Sequence, residues 1–85
     1  MGELVANNGT YIVNNTTEAT KTIDAIVVLE DTIFSSIKVA GTDAKSTYLA
    51  DATKAIKAGA IITPINDVQF SGVTLTSGSI ALVLG

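Results

Sequence analysis

Residues 59–85, GAIITPINDVQFSGVTLTSGSIALVLG, decide the fold class. Short aliphatic runs alternate there with turn residues: 60–63, a turn across Pro64 to Asp67, 68–76, Ser77-Gly78, and 79–84. Period-two patterning bounded by Gly, Pro and Asn/Asp predicts strands joined by tight turns. Within 68–76 the alternation slips, with Val68 and Phe70 in one phase and Val73 and Leu75 in the other. Ser71-Gly72 sits at the break, which predicts a β-bulge. Pro64 has no amide hydrogen to give a ladder and suits a strand end or edge. In the last strand Ile80, Leu82 and Leu84 share one face, with Ala81 and Val83 on the other. A monomer this small would find it hard to cover both, so Ile80, Leu82 and Leu84 are the expected subunit interface.

The same reading extends upstream. Ile23, Ala25, Val27 and Leu29 alternate with Asp24, Ile26, Val28 and Glu30, so residues 23–29 form a strand apolar on both faces. Glu30-Asp31 reads as a tight turn into residues 32–39, where Ile33, Ile37 and Val39 share a phase and Phe34 and Lys38 take the other. The two strands are expected to form a hairpin, closed by Ala40-Gly41-Thr42-Asp43. Residues 43–58 admit two readings. Leu49, Ala52, Thr53 and Ile56 fall at helical spacing between a capping Thr42 or Asp43 and Gly59. Alternatively, 46–51 is an extended excursion followed by a short strand at 53–57. Residues 1–22, rich in Asn and Thr, predict an N-terminal arm with one very short strand at Tyr11-Ile12-Val13. The domain organisation expected is thus an arm over 1–22 and a single β domain over 23–85. The fold class is all-β and mainly antiparallel, a small β-sandwich or β-barrel-like domain, with room for one short helix near 43–58.

Composition narrows function more than it names it. The chain has 85 residues, 47% of them hydrophobic but only 5% aromatic, and a mean hydropathy of +0.47. A core this small is marginal alone, and pairing with further copies is the usual remedy. The alternative is a compact monomer. A net charge of −3, with five basic against eight acidic residues and no Arg, speaks against coating nucleic acid, which needs clustered cations. No basic segment followed by an apolar one opens the chain, and the aliphatic runs are far shorter than the ~20 residues of a membrane span.

Reactive side chains are scarce. Without His or Cys no serine has an evident base, no thiolate metal site exists, and no side chain titrates ordinarily near neutrality. Asp24, Glu30 and Asp31 are the only local carboxylate cluster, and adjacent acids at a turn read as solvated turn chemistry. Asp43, Asp51 and Asp67 lack the dense ligand spacing of a calcium loop. Lys45, Lys54 and Lys57 read as a solvated face, and Lys57-Ala58-Gly59-Ala60 lacks the second glycine and Lys-Ser/Thr of a phosphate loop. No catalytic, cofactor-binding or metal-binding residue is therefore assigned.

Three segments together resemble the small β-structured virion proteins of tailed bacteriophages: Ala25-Ile26-Val27-Val28-Leu29-Glu30-Asp31-Thr32-Ile33-Phe34, Lys57-Ala58-Gly59-Ala60-Ile61-Ile62, and Val73-Thr74-Leu75-Thr76-Ser77-Gly78-Ser79-Ile80-Ala81. The resemblance spans most of residues 23–85 and leaves 1–22 and 43–58 unmatched. It implies a non-enzymatic structural protein, foremost a capsid decoration or cement protein that binds the capsid surface as a homo-oligomer, with a trimer favoured. The alternatives are a base or adaptor domain of a head fibre or tail spike, or a host-surface or glycan-binding module. Its implied partners are further copies of itself and a major capsid, fibre or spike protein, with no nucleic acid, membrane or cofactor. Its implied place is the virion, assembled in the host cytoplasm.

Overall fold

The computed structural model describes residues 9–51 and 53–85. Seven strands carry the fold: β1 (Thr10–Val13), β2 (Ile23–Val28), β3 (Ile33–Val39), β4 (Thr42–Asp43), β5 (Ile61–Ile62), β6 (Phe70–Ser77) and β7 (Ile80–Leu84). Every ladder is antiparallel. The strands make one sheet in the order β1-β7-β2-β6-β3-β4, with β5 pairing β2, curled into a half-barrel. The chain is thus a small all-β domain. Its concave side holds the core, in which Ile23, Ile26, Val28, Phe34, Ile37, Phe70, Val73, Leu75, Ile80 and Leu82 are buried.

The expected hairpin about Glu30-Asp31 and the tight turn at Ser77-Gly78 are both corners instead. β2 does not pair β3, and β6 does not pair β7: β2 lies against β7 while β3 lies against β6. Both connections cross from one half of the sheet to the other, and the two bends nest. Thr32, fully buried in the first bend, donates its hydroxyl to the Glu30 carbonyl at 2.7 Å and lies 3.3 Å from the Ser79 carbonyl of the second. Gly78 of the second bend has φ +99°, and a Cβ there would collide with the Thr32 hydroxyl and lie 2.7 Å from the Asp31 carbonyl. Glycine is required there by both conformation and space. A tight turn is compatible with a hairpin or a corner. Here the pairing of already distant apolar strands wins, because it places Val28 beside Ile80 and Phe34 beside Leu75 on the buried face.

The remaining turns follow their chemistry. Ala40 (φ 53°) and Gly41 (φ 80°) form the two-residue loop of the β3–β4 hairpin. Positive φ at both positions is the geometry that matches strand twist. The slip expected at Ser71-Gly72 is a bulge: Lys38 pairs Gly72 and Val39 pairs Phe70, leaving Ser71 unopposed. Its hydroxyl accepts the Gly41 amide at 2.9 Å. A second bulge, at Asp24, was not expected. Ile23 pairs Leu84 and Ala25 pairs Val83, so Ile23 leaves the face of Ala25 and Val27 and turns inward, where it is fully buried.

The helical reading of 43–58 is right for only one turn, α1 (Lys45–Tyr48), because Leu49 is already extended and buries its side chain in the core. Ile56 then bridges Thr32. Tyr48 meets Phe70 edge-on at 5.1 Å, and its hydroxyl accepts the Ile65 amide at 3.0 Å. Nor is the arm a separate unit where it is described. β1 joins the sheet along its whole length against β7, and Ala19 bridges Val73. The domain therefore begins at least as early as Thr10, and residues 1–8 lie outside the described part.

Candidate functional site

The register of the ladders fixes which side chains share the convex face of the β1-β7-β2-β5 half. Ile12 pairs Ala81, Ala81 pairs Val27 and Val27 pairs Ile61, so these four form one row across four strands. Thr10, Val83 and Ala25 form the next row. Leu29, whose amide donates to the Ser79 carbonyl at 3.0 Å, continues the phase of Ala25 and Val27. Directly opposed residues on antiparallel strands project to the same side. This convex face is therefore aliphatic, with hydroxyl groups only at its margins and no ionisable side chain in its rows. Its large members protrude, with Ile12, Leu29 and Ile61 exposed at 49%, 48% and 53%.

The expected interface on β7 is corrected by this geometry. Ile80 and Leu82 point to the concave side and are fully buried within the single chain, and Leu84 packs against the same core. β7 is an inner strand, flanked by β1 and β2. Covering both of its edges took one further strand, β1, which lies in the segment read as an arm. The apolar surface left over is the opposite phase, Ala81 and Val83. Of the exposed members, Leu29 and Ile61 lay within runs already read as apolar, and for Leu29 the two-faced apolarity of 23–29 was the signal. Ile12 was obscured by the polar residues around it.

The other candidate groups are dispersed. Asp24 lies at the start of β2, where it accepts the Gln69 side-chain amide at 2.6 Å. Asp31 lies beyond the other end of β2, where Lys57 and the Ala58 amide both donate to it at 3.3 Å. These donors, the Lys57 ammonium foremost, hold the Asp31 carboxyl below its ordinary range. The Asp51 carboxyl is lowered likewise by the hydroxyl and amide of Thr53. Asp43 accepts the amides of Ile37 and Lys45. Asp43 and Asp51 serve local turns, Asp24 and Asp31 tie together segments distant in sequence, and no three metal-ligating side chains meet among the described residues. No helix among them is long and apolar enough to cross a membrane.

A broadly open cleft of about 520 Å³ lies between Thr20-Lys21-Thr22, Ala40 and the start of β6, with Phe70 in its lining. Phe70 is itself buried, and Lys21 stands 4.6 Å over the Tyr11 ring. Of the two tyrosines that could offer a sugar a platform, Tyr11 is exposed with the Lys21 ammonium over one face of its ring, and Tyr48 is spent on Phe70 and Ile65.

No protein family, curated protein or solved structure matches the chain.

Proposed function

We propose that the chain is a non-enzymatic structural protein of a tailed-phage virion, most simply a capsid decoration or cement protein that acts as a homo-oligomer on the capsid surface. The observation that supports this reading is the second apolar face. Folding needs one apolar side of a sheet, and the concave side supplies it. The aliphatic rows on the convex side contribute nothing comparable to the core and leave Ile12, Leu29 and Ile61 about half exposed, where a partner would cover them. Burial of the three protruding side chains would favour association by about 25 cal/mol per Å² removed from water, offset by the cost of ordering and immobilisation. The residue types support the same reading, because a chain without His, Cys or Arg has few means to catalyse and many to pack. A base or adaptor domain of a head fibre or tail spike would use the same face. The test is to purify tailed-phage particles from the source of the chain and quantify its peptides against those of the capsid subunit. A fixed stoichiometric ratio is expected, and absence from the particles overturns the proposal.

A further inference from the structure

We infer that the convex aliphatic face is occupied by a second copy of the same chain, packed face to face about a two-fold axis so that the two sheets form a sandwich. The inference rests on reading this face as an association surface, and goes beyond it by naming the occupant.

Charge is the first argument. Each copy carries a net −3, so most ways of bringing two copies together set acidic surfaces against each other. The rows Ile12–Ala81–Val27–Ile61 and Thr10–Val83–Ala25 are free of ionisable groups, and two such faces meet with no charge to desolvate. A foreign partner selected by an acidic chain would be expected to find carboxylates at the contact, and these rows offer none.

Relief is the second. Ala25 and Ala81 are low points, 4% and 8% exposed, while Ile12 stands at one margin and Ile61 and Leu29 at the other. Ile12 and Ile61 are three strand spacings apart, about 14 Å. An isologous two-fold contact sets the same patch against itself. It can seat the Ile12 margin of one copy over the alanine floor of the other, as facing side chains interdigitate in stacked sheets about 10 Å apart.

Area sets the strength. Three half-exposed large side chains with the edges of Val27 and Val83 make roughly 350 Å² per copy, a patch of the size found on ordinary monomers. That is about half of the ~800 Å² each partner gives to a stable interface. The pair is therefore concentration-dependent, with a dissociation constant of ~10 µM to ~1 mM. Copies held side by side on a larger surface would pair through effective concentration.

The experiment is sedimentation equilibrium of the full chain from about 10 µM to about 1 mM, the range over which such a pair forms. The mass is expected to rise from 8.7 kDa towards twice that value. The double variant Ile12→Lys/Ile61→Lys, at positions half exposed in the single chain, is expected to associate at least ~tenfold more weakly, because four like charges enter the contact. Ile61→Ser, which adds no charge, is a second variant expected to weaken pairing by ~threefold or more. Circular dichroism melting of each variant establishes that it is folded. A wild-type mass that stays at one chain near 1 mM, a mass of three chains, or a folded double variant that pairs like wild type overturns the inference. A monomer found in phage particles would overturn this inference and spare the virion reading. A dimer absent from particles would do the reverse.

Discussion

The two halves of the half-barrel solve the same problem differently. Across β3 and β6 the concave side carries Phe34, Ile37, Val73 and Leu75, while the convex side carries Ser36 opposite Thr74 and Lys38 opposite Gly72. Lys38 there pairs with Glu18 at 2.8 Å. That half is an ordinary sheet, dry within and wet without. Across β1, β7, β2 and β5 the concave side is equally apolar, yet the convex side is Ile12, Ala81, Val27 and Ile61. Core formation demands one apolar face from each half, and both comply. The second apolar face exists in only one half, which separates residues that fold the chain from residues free to associate.

The largest effect should come where the halves are locked together. Gly78→Ala places a Cβ against Thr32 and the Asp31 carbonyl in a left-handed conformation. It is expected to cost about 3 kcal/mol from backbone strain and overpacking combined, read as a lower urea midpoint. An unchanged midpoint would show that the nested corners do not hold the halves together. Next, β7 and β5, on either side of β2, carry the two phases of the same half. Leu82→Ala should cost about 3 kcal/mol, whereas Ile61→Ser should stay within about 0.5 kcal/mol in the monomer. Equal costs in chemical denaturation would erase the distinction between concave and convex faces.

Thr32→Val keeps the shape at the corner but removes the hydroxyl from the Glu30 and Ser79 carbonyls. A loss of about 1 kcal/mol is expected from the missing hydrogen bond to the Glu30 carbonyl, since the Ser79 carbonyl keeps the Leu29 amide, and an equal or higher melting temperature would count against it. The smallest effect concerns pH. The Asp31 carboxyl is depressed by its donors, so its stabilising contribution is fully present above the unfolded value near 4 and is lost as pH falls below that through the folded one. Because this side chain is solvated, a small drop in melting temperature below about pH 4, reduced in Asp31→Asn, is the expected result. A drop of the same size in Asp31→Asn would assign it to other carboxylates.

Much of the local structure was legible. The strand at Tyr11-Ile12-Val13, the bulge beside Gly72, the turn at Ala40-Gly41 and the strand end at Pro64 all follow from backbone preferences that act over a few residues. The partnership of strands was not, because Glu30-Asp31 and Ser77-Gly78 look the same in a hairpin and in a corner. The bulge at Asp24 was hidden for a related reason. Both neighbours in sequence are apolar, so no change of pattern marks the reversal of Ile23. The assignment of Ile80, Leu82 and Leu84 as an interface recognised that β7 is apolar on both sides but chose the buried side. Composition cannot tell which phase meets the core.

By itself the sequence determined the all-β class, the positions of the strands and bends, the poverty of reactive groups, and a surplus of aliphatic side chains. Those properties depend on spacing and residue type within short windows. Only the tertiary structure decided that β2 and β3 part company to join β7 and β6, and that β1 belongs to the sheet. Only it decided that Ile12, Leu29 and Ile61, rather than Ile80 and Leu82, remain at the surface. Those outcomes depend on which distant strands bury the most apolar area while closing every ladder, a competition settled by the whole chain at once.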